Sequence, residues 1–214
     1  MNLTLHNYFN SSTSYRVRIA MKLKGVDYES IPVNLRKDEN CTPEYLALNA
    51  AGGVPLLVGE EITLHQSIAI IDWLDHVVPE PRLIPEEPFQ RARTLELSFA
   101  IASDIHPVNN LRILKYLTRT FNATDSQRAQ WYQHWIHEGF VSVESLLRRY
   151  RQGSLCFGDV PTLAECCLVP QITNALRVGC DFSSFPISME IFERCMTMRA
   201  FLESAPAAQP DYVP

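Results

Sequence analysis

The sequence has no dense tract of lysine and arginine: its 19 basic residues are outnumbered by 24 acidic ones, for a formal net charge of -5 over 214 residues. That balance argues against a nucleic-acid-binding surface, which needs clustered positive charge. No unbroken apolar run reaches the length of a membrane span. Nothing near Met1 has the basic segment, apolar stretch and small-residue cleavage site of a secretory leader, so the expected location is the cytoplasm. The six cysteines, Cys41, Cys156, Cys166, Cys167, Cys180 and Cys195, include no Cys-x-x-Cys pair. No metal site is expected from them, and thiols set among apolar neighbours read as small buried hydrophobes in a reducing compartment. Internal repeats and low-complexity tracts are also missing. What is present is 46% hydrophobic and 20% charged residues, the profile of a folded globular chain with room for one large domain or two small ones.

The first part alternates strand and helix signals. Leu3 to Tyr8 alternates apolar and polar residues, and Ser11 to Ser14 then supplies helix-start chemistry. Good helix formers fill Tyr15 to Lys24, and Gly25 stands where a left-handed cap is wanted. Tyr28 to Leu35 reads as a strand, at a sheet edge because Pro32 has no N–H for a ladder. A short helix over Pro43 to Leu48 precedes the loop Asn49 to Gly53. Leu56 to Val58 and Ile62 to Leu64 read as two short strands, and Ser67 is placed to cap a helix carrying Ile70, Ile71 and Leu74. Pro79, Pro81, Pro85 and Pro88 then crowd one stretch. The expected division is a first domain over 1–80, a linker over 81–87 and a second domain over 88–214. Beyond Pro88 the periodicity is helical, at Gln90 to Ser103, Asn109 to Phe121, Ser126 to Arg151 and Thr162 to Arg177. Thr162 and Glu165 have the spacing of a capping box, and the tail from Ala205 reads as extended.

Three short stretches can carry chemistry. The Ser11-Ser12-Thr13-Ser14 run lies at a strand-to-helix junction, where unpaired N–H groups and the helix dipole favour negative charge. Either one hydroxyl caps the helix and the others are solvated, or a hydroxyl donates to a bound thiolate and lowers the thiol pKa. Val54-Pro55 follows a glycine-containing loop and precedes a strand. An ordinary trans bond is one reading; a cis bond that presents the Val54 N–H and C=O to an extended peptide is the other. Gln66-Ser67 opens the next helix, either as a cap or as a seat for a carboxylate. In the helical half, His106 and Asn110 would align at helical spacing beyond Pro107, and Arg112 offers a planar fork for a carboxylate; met alone, each also reads as packing or surface charge.

Taken together and in order, the words Ser11 to Ala20, Val54-Pro55 and Gln66 to Ile70 resemble the zeta class of glutathione transferases, the group containing maleylacetoacetate isomerase and the bacterial maleylpyruvate isomerases. The likeness runs over essentially the whole chain, and Asp104 to Arg112 is especially similar to the maleylpyruvate isomerases. The resemblance implies a thioredoxin-like α/β domain followed by an all-α helical bundle. It also implies that Ser11, Ser12 and Thr13 face the glutathione sulfur, that Val54 beside Pro55 pairs with the cysteinyl backbone, and that Gln66 and Ser67 hold the γ-glutamyl end. His106 and Asn110 would contact glutathione from the second domain, while Arg112 and Arg177, with Arg16 open between surface charge and site, would bind substrate carboxylates. Many members of the class carry cysteine where Thr13 stands, so glutathione must supply the sulfur here.

The activity implied is glutathione-dependent cis-trans isomerisation of a maleyl keto acid, maleylpyruvate or maleylacetoacetate, to its fumaryl isomer. The implied partners are glutathione, a small dicarboxylic keto acid and a second copy of the chain in a homodimer, with no nucleic acid, membrane or metal. Two other activities are compatible with the same motifs: a broader conjugating transferase or haloacid dehalogenase, and a non-catalytic glutathione-binding module.

Overall fold

The computed structural model describes residues 1–213, which cluster into two compact units: Met1–Ile84 together with the chain from Met196 on, and Pro85–Cys195. The first unit contains a four-stranded sheet. Strand β1 (Thr4–Asn7) leads into helix α1 (Ser12–Lys24) and then β2 (Glu29–Pro32); helix α2 (Pro43–Leu48) precedes β3 (Leu56–Val58), β4 (Thr63–His65) and helix α3 (Ser67–Val77). The strand order is β2-β1-β3-β4, with β1 parallel to β2 and the other neighbours antiparallel. This is the thioredoxin-like arrangement expected, and Pro32 lies on the edge strand, where its missing N–H costs no ladder bond.

Local chemistry explains α1. Ser11 accepts a hydrogen bond from Ser14 N–H at its start, and Gly25 ends it at φ 63°, a left-handed conformation that glycine takes without a Cβ penalty. Val26 N–H then reaches back to Met21 O at 2.9 Å. The helix is buried on nearly every side, including the cations Arg16, Arg18 and Lys24, while Lys22 is exposed. Arg18 donates to Asn7 Oδ1, to the carbonyls of Tyr8 and Phe9, and to the carbonyl of Ser204, at 3.0–3.2 Å. Lys24 meets Asp75 at 2.6 Å with both side chains fully buried, and it also donates to the carbonyls of Val78 and Pro81. Asp75 in turn accepts from the N–H groups of Leu83 and Ile84. Every charged group in this cluster therefore has a counterion or hydrogen bonds, which is the condition for tolerating its desolvation.

The second unit is a helical bundle: α4 (Pro88–Phe99), α5 (Leu111–Phe121), α6 (Asp125–Tyr150), α7 (Leu163–Arg177) and α8 (Pro186–Cys195). Between α4 and α5 the chain passes through a π-helical segment, Ala100–Ile105, and a 3-10 turn, Pro107–Asn109. Gly139 of α6 faces that segment, and a Cβ there would overlap Ile105. Phe140, Phe182 and Phe185 form an edge-on aromatic cluster in the core. The capping box of α7 forms as its spacing predicts: Glu165 accepts from Thr162 N–H and Thr162 Oγ–H, and it also takes Cys156 N–H at 2.7 Å.

Three sequence expectations are corrected. Ser67 is the first residue of α3 rather than its cap, the capping position being held by Gln66. The α5 helix begins at Leu111, two residues later than the pattern suggests, because Pro107 closes a 3-10 turn first. The chain from Met196 on, read as part of the second domain, clusters with the first unit: α9 (Arg199–Ser204) lies against α1, Tyr15 Oη–H donates to Phe201 O at 2.9 Å, and Phe9 packs edge-on against Tyr212. Among the described residues no helix is long and apolar enough to cross a membrane.

Replacing Lys24 by Met leaves the Asp75 carboxylate buried without its cation, and the unfolding free energy should fall by about 3–5 kcal/mol in urea titration; a loss below about 1 kcal/mol would mean that Asp75 does not need its counterion. Cys41 is exposed and the other five cysteines are buried, so a thiol-labelling time course on native protein should show one fast-reacting thiol and five slow ones. Burial pushes the Cys180 thiol up to about 11, which reinforces its slow reaction at neutral pH.

Candidate functional site

The turn between β1 and α1 is held from below. Three of its hydrogen-bond acceptors, Asn7 Oδ1, Tyr8 O and Phe9 O, are gathered on one guanidinium, Arg18, whose pKa burial pulls down to about 10 while leaving it a cation at neutral pH. The Phe9 N–H is held as well, by Asp211 Oδ2 at 3.0 Å. The next residues out of this clamped turn are Ser11, Ser12 and Thr13, which begin α1.

Their hydroxyls are ordered by a chain of short contacts. Ser11 Oγ accepts from Ser14 N–H at 3.2 Å and lies 2.8 Å from Thr13 Oγ1, and Thr13 Oγ1–H donates to the Val54 carbonyl at 2.8 Å. The capping reading of this run is realised at Ser11, whose oxygen also lies in a cluster with a second hydroxyl and a backbone carbonyl from another element, while Ser12 and Ser14 are buried rather than solvated. Ser11 and Thr13 are half-buried; Ser12 is 6% exposed. Val54-Pro55 is cis, and the Val54 N–H has no hydrogen bond among the described residues. Tyr45 and Asn49 both donate to Gly53 O, at 2.6 and 2.8 Å, and fix the loop that presents Val54.

A second helix start lies in the same unit. Gln66 is exposed and adopts φ 80°, ψ 112°, a region that side-chain-bearing residues rarely occupy. Its carbonyl takes Ile70 N–H at 3.0 Å, so the first-turn amides of α3 lack partners within the helix. Ser67 is buried beneath them and accepts from Arg16 Nη1–H at 3.4 Å. Arg16 is 1% exposed. Its burial corrects the expectation of a surface charge or a substrate partner: it braces Ser67 from inside the unit.

In the second unit, His106 and Asn110 are adjacent, with Asn110 Nδ2 3.4 Å from His106 Nε2. They meet across the 3-10 turn, not along a turn of α-helix as the spacing suggested, because Asn110 is extended (ψ 146°) and caps α5. Its Oδ1 accepts from Arg112 N–H at 3.1 Å, which turns Nδ2 toward the ring. Arg112 is exposed in the first turn of α5. Arg177, exposed at the end of α7, donates to Asn174 Oδ1 at 2.6 Å, and Asn174 Nδ2 donates to Tyr132 Oη at 2.8 Å. Burial pushes the Tyr132 phenol well above its ordinary pKa, so this hydroxyl stays neutral. The sequence reading missed Asn174 and Tyr132. The i,i+3 spacing of Asn174 and Arg177 on one helix was the available signal for the first; the second comes from a different helix.

The family of the glutathione S-transferase N-terminal domain matches residues 1–76. Over 213 residues the chain is 43% identical to a probable maleylacetoacetate isomerase of Vibrio cholerae, covering 99% of each. A solved bacterial maleylpyruvate isomerase, described as a zeta-class glutathione transferase in its holo form, superposes with a TM-score of 0.96 at 42% identity, covering 98% of this chain and all of the other. The maleylacetoacetate isomerase of Anaeromyxobacter dehalogenans, solved with dicarboxyethyl glutathione and citrate bound in its active site, is 34% identical with a TM-score of 0.87, covering 100% of this chain and 94% of the other. With the hydroxyl-lined start of α1 and the cis-proline loop in place, these matches make the chain a member of the zeta-class glutathione transferase family, to which the maleylacetoacetate and maleylpyruvate isomerases belong.

Proposed function

We propose that this chain is a glutathione-dependent cis-trans isomerase that converts a maleyl keto acid, maleylpyruvate or maleylacetoacetate, into its fumaryl isomer. The observation that carries the reading is the meeting of Ser11, Thr13 and Val54 at the start of α1: hydroxyl donors at a positive helix end beside a backbone edge with an unpaired N–H. Those groups suit a peptide that bears a thiol. The likeness to a relative holding dicarboxyethyl glutathione supports it, since that molecule is a thiol joined to a four-carbon diacid.

Bound glutathione supplies a thiolate that adds reversibly to the activated alkene, so that rotation can occur about what has become a single bond. The chain's own groups do the rest. Ser11, with Ser12 beside it, donates to the sulfur and, with the α1 dipole, favours its ionised form. The N–H and C=O of Val54 next to Pro55 receive the peptide backbone as an added strand edge. Gln66 and Ser67, with the free first-turn amides of α3, suit a terminal carboxylate. From the second unit we assign His106 and Asn110 to glutathione, and Arg112 and Arg177 to the substrate carboxylates. Two fixed cations orient a dianion and stabilise the enolate charge that develops as the alkene is attacked. We further take the enzyme to act in the cytoplasm as a homodimer. Six free cysteines are compatible with a reducing compartment.

The direct test is incubation of purified protein and glutathione with each keto acid while following the fumaryl product; absence of glutathione-dependent turnover with both would reject the isomerase. Retention of a sulfur adduct, or halide release from a haloacid without isomerisation, would replace it with a conjugating or dehalogenating activity. Ser11→Ala should lower kcat more than it weakens glutathione binding and, as the loss of a helix cap, should reduce stability by about 1 kcal/mol in thermal unfolding. Arg112→Ala should reduce kcat/KM about 10- to 100-fold, the worth of one charge-assisted hydrogen bond of roughly 1.5–3 kcal/mol, with glutathione affinity unchanged.

A further inference from the structure

Thr13 has one hydroxyl hydrogen, and the structure commits it. Its Oγ1 is 2.8 Å from the Val54 carbonyl, which can only accept, so the hydrogen points there. The contact of 2.8 Å between Ser11 and Thr13 then has one polarity: Ser11 Oγ–H donates to Thr13 Oγ1. Ser11 Oγ meanwhile accepts from Ser14 N–H. In this arrangement the Ser11 hydrogen, the one wanted by a thiolate, is turned inward and used.

The same three heavy atoms support a second arrangement with no atom displaced by more than a rotor. If an incoming N–H takes the Val54 carbonyl, the Thr13 hydrogen can turn to Ser11 Oγ. Ser11 then accepts from both Thr13 Oγ–H and Ser14 N–H, which fills its two lone pairs and leaves its own hydrogen to point outward. A hydroxyl that accepts twice is polarised into a stronger donor. We infer that Thr13 is a positioning residue that links the two halves of ligand recognition: docking of a peptide N–H on Val54 releases the Ser11 hydrogen for the peptide's sulfur. The inference rests on the glutathione reading given under Proposed function. It adds that an empty site is a poor thiolate donor and that the backbone of the ligand, not its sulfur, turns the donor on. A cysteine side chain at position 13, with its weak S–H donor, would transmit this less well than threonine.

The test uses Thr13→Val, which keeps the branched shape without the hydroxyl, Thr13→Ala, which removes it with less bulk, and Thr13→Ser, which restores it. Calorimetry measures binding of glutathione and of γ-glutamyl-alanyl-glycine, which has the backbone but no thiol, and ultraviolet thiolate absorbance against pH gives the pKa of the bound thiol. In Thr13→Val and Thr13→Ala the bound thiol pKa should rise by about one unit, a tenfold smaller thiolate-to-thiol ratio and roughly the worth of one hydrogen bond. Thr13→Ser should return it to the wild-type value, and affinity for the thiol-free tripeptide should change by less than about twofold. A residue that mattered only for packing would weaken both tripeptides alike and leave the pKa of the bound thiol where it was. An unmoved thiol pKa in the hydroxyl-free variants, or a serine variant that behaves like them, overturns the inference while wild-type binding of glutathione stands. Wild-type protein that binds neither tripeptide overturns the glutathione reading and this inference with it.

Discussion

Arg18 enters the interior of the first unit as a cation and is met there by oxygen atoms: the carbonyls of Tyr8, Phe9 and Ser204 and the amide oxygen of Asn7. Burying a guanidinium is tolerable only if its donors are satisfied, and the Tyr8 and Phe9 carbonyls lie in a turn that belongs to neither a sheet nor a helix, where Tyr8 O also takes Ser11 N–H at 3.0 Å. One side chain thus settles two problems. It fixes the exit of β1 and, through Ser204, ties the returning C-terminal segment to the same point. Everything chemical in this unit starts a residue or two later, at Ser11.

The second constraint derives from the first. With the turn held, Ser11 can cap α1, and the cap geometry aims its oxygen at Thr13 and, beyond it, at Val54. The loop carrying Val54 is fixed separately, by Tyr45 and Asn49 on the Gly53 carbonyl. Two loops that are distant in sequence therefore present their polar groups to one another at hydrogen-bond distance without a buried charge between them. In the second unit the arginines are treated in the opposite way. Arg112 and Arg177 are exposed; Asn110 takes the backbone N–H of Arg112, and the Arg177 guanidinium donates to the Asn174 amide oxygen.

Where the polar signals were local, they could be read directly. Gly25 at φ 63° and the Thr162–Glu165 capping box are cases in which the sequence partner lies within a few residues, so spacing predicts geometry. α8 escaped notice because its cap is not local: Glu144, in the middle of α6, accepts from Ile187 N–H, Ser188 N–H and Ser188 Oγ–H. The π-helical segment over Ala100–Ile105 was likewise hidden, since it depends on the close approach of Gly139 from another helix. In the site, the hydroxyl run and the Val54-Pro55 and Gln66-Ser67 pairs were visible as residues in order, but their assembly rested on likeness to a family.

The sequence alone settled the alternation of strand and helix up to α3, the helical character of the chain beyond Pro88, and which residues have hydroxyl, imidazole or guanidinium groups to offer. Those are consequences of backbone propensity and short-range pairing. Tertiary structure decided which charges are buried and which are available: a run of Arg16-Val17-Arg18 looks the same whether it faces water or carbonyls, and only the packing of β1, α1, α3 and the C-terminal segment turned both arginines inward. It also decided the direction of the Thr13 hydrogen, because the acceptor that claims it, Val54 O, comes from 41 residues away and no local rule can bring it there.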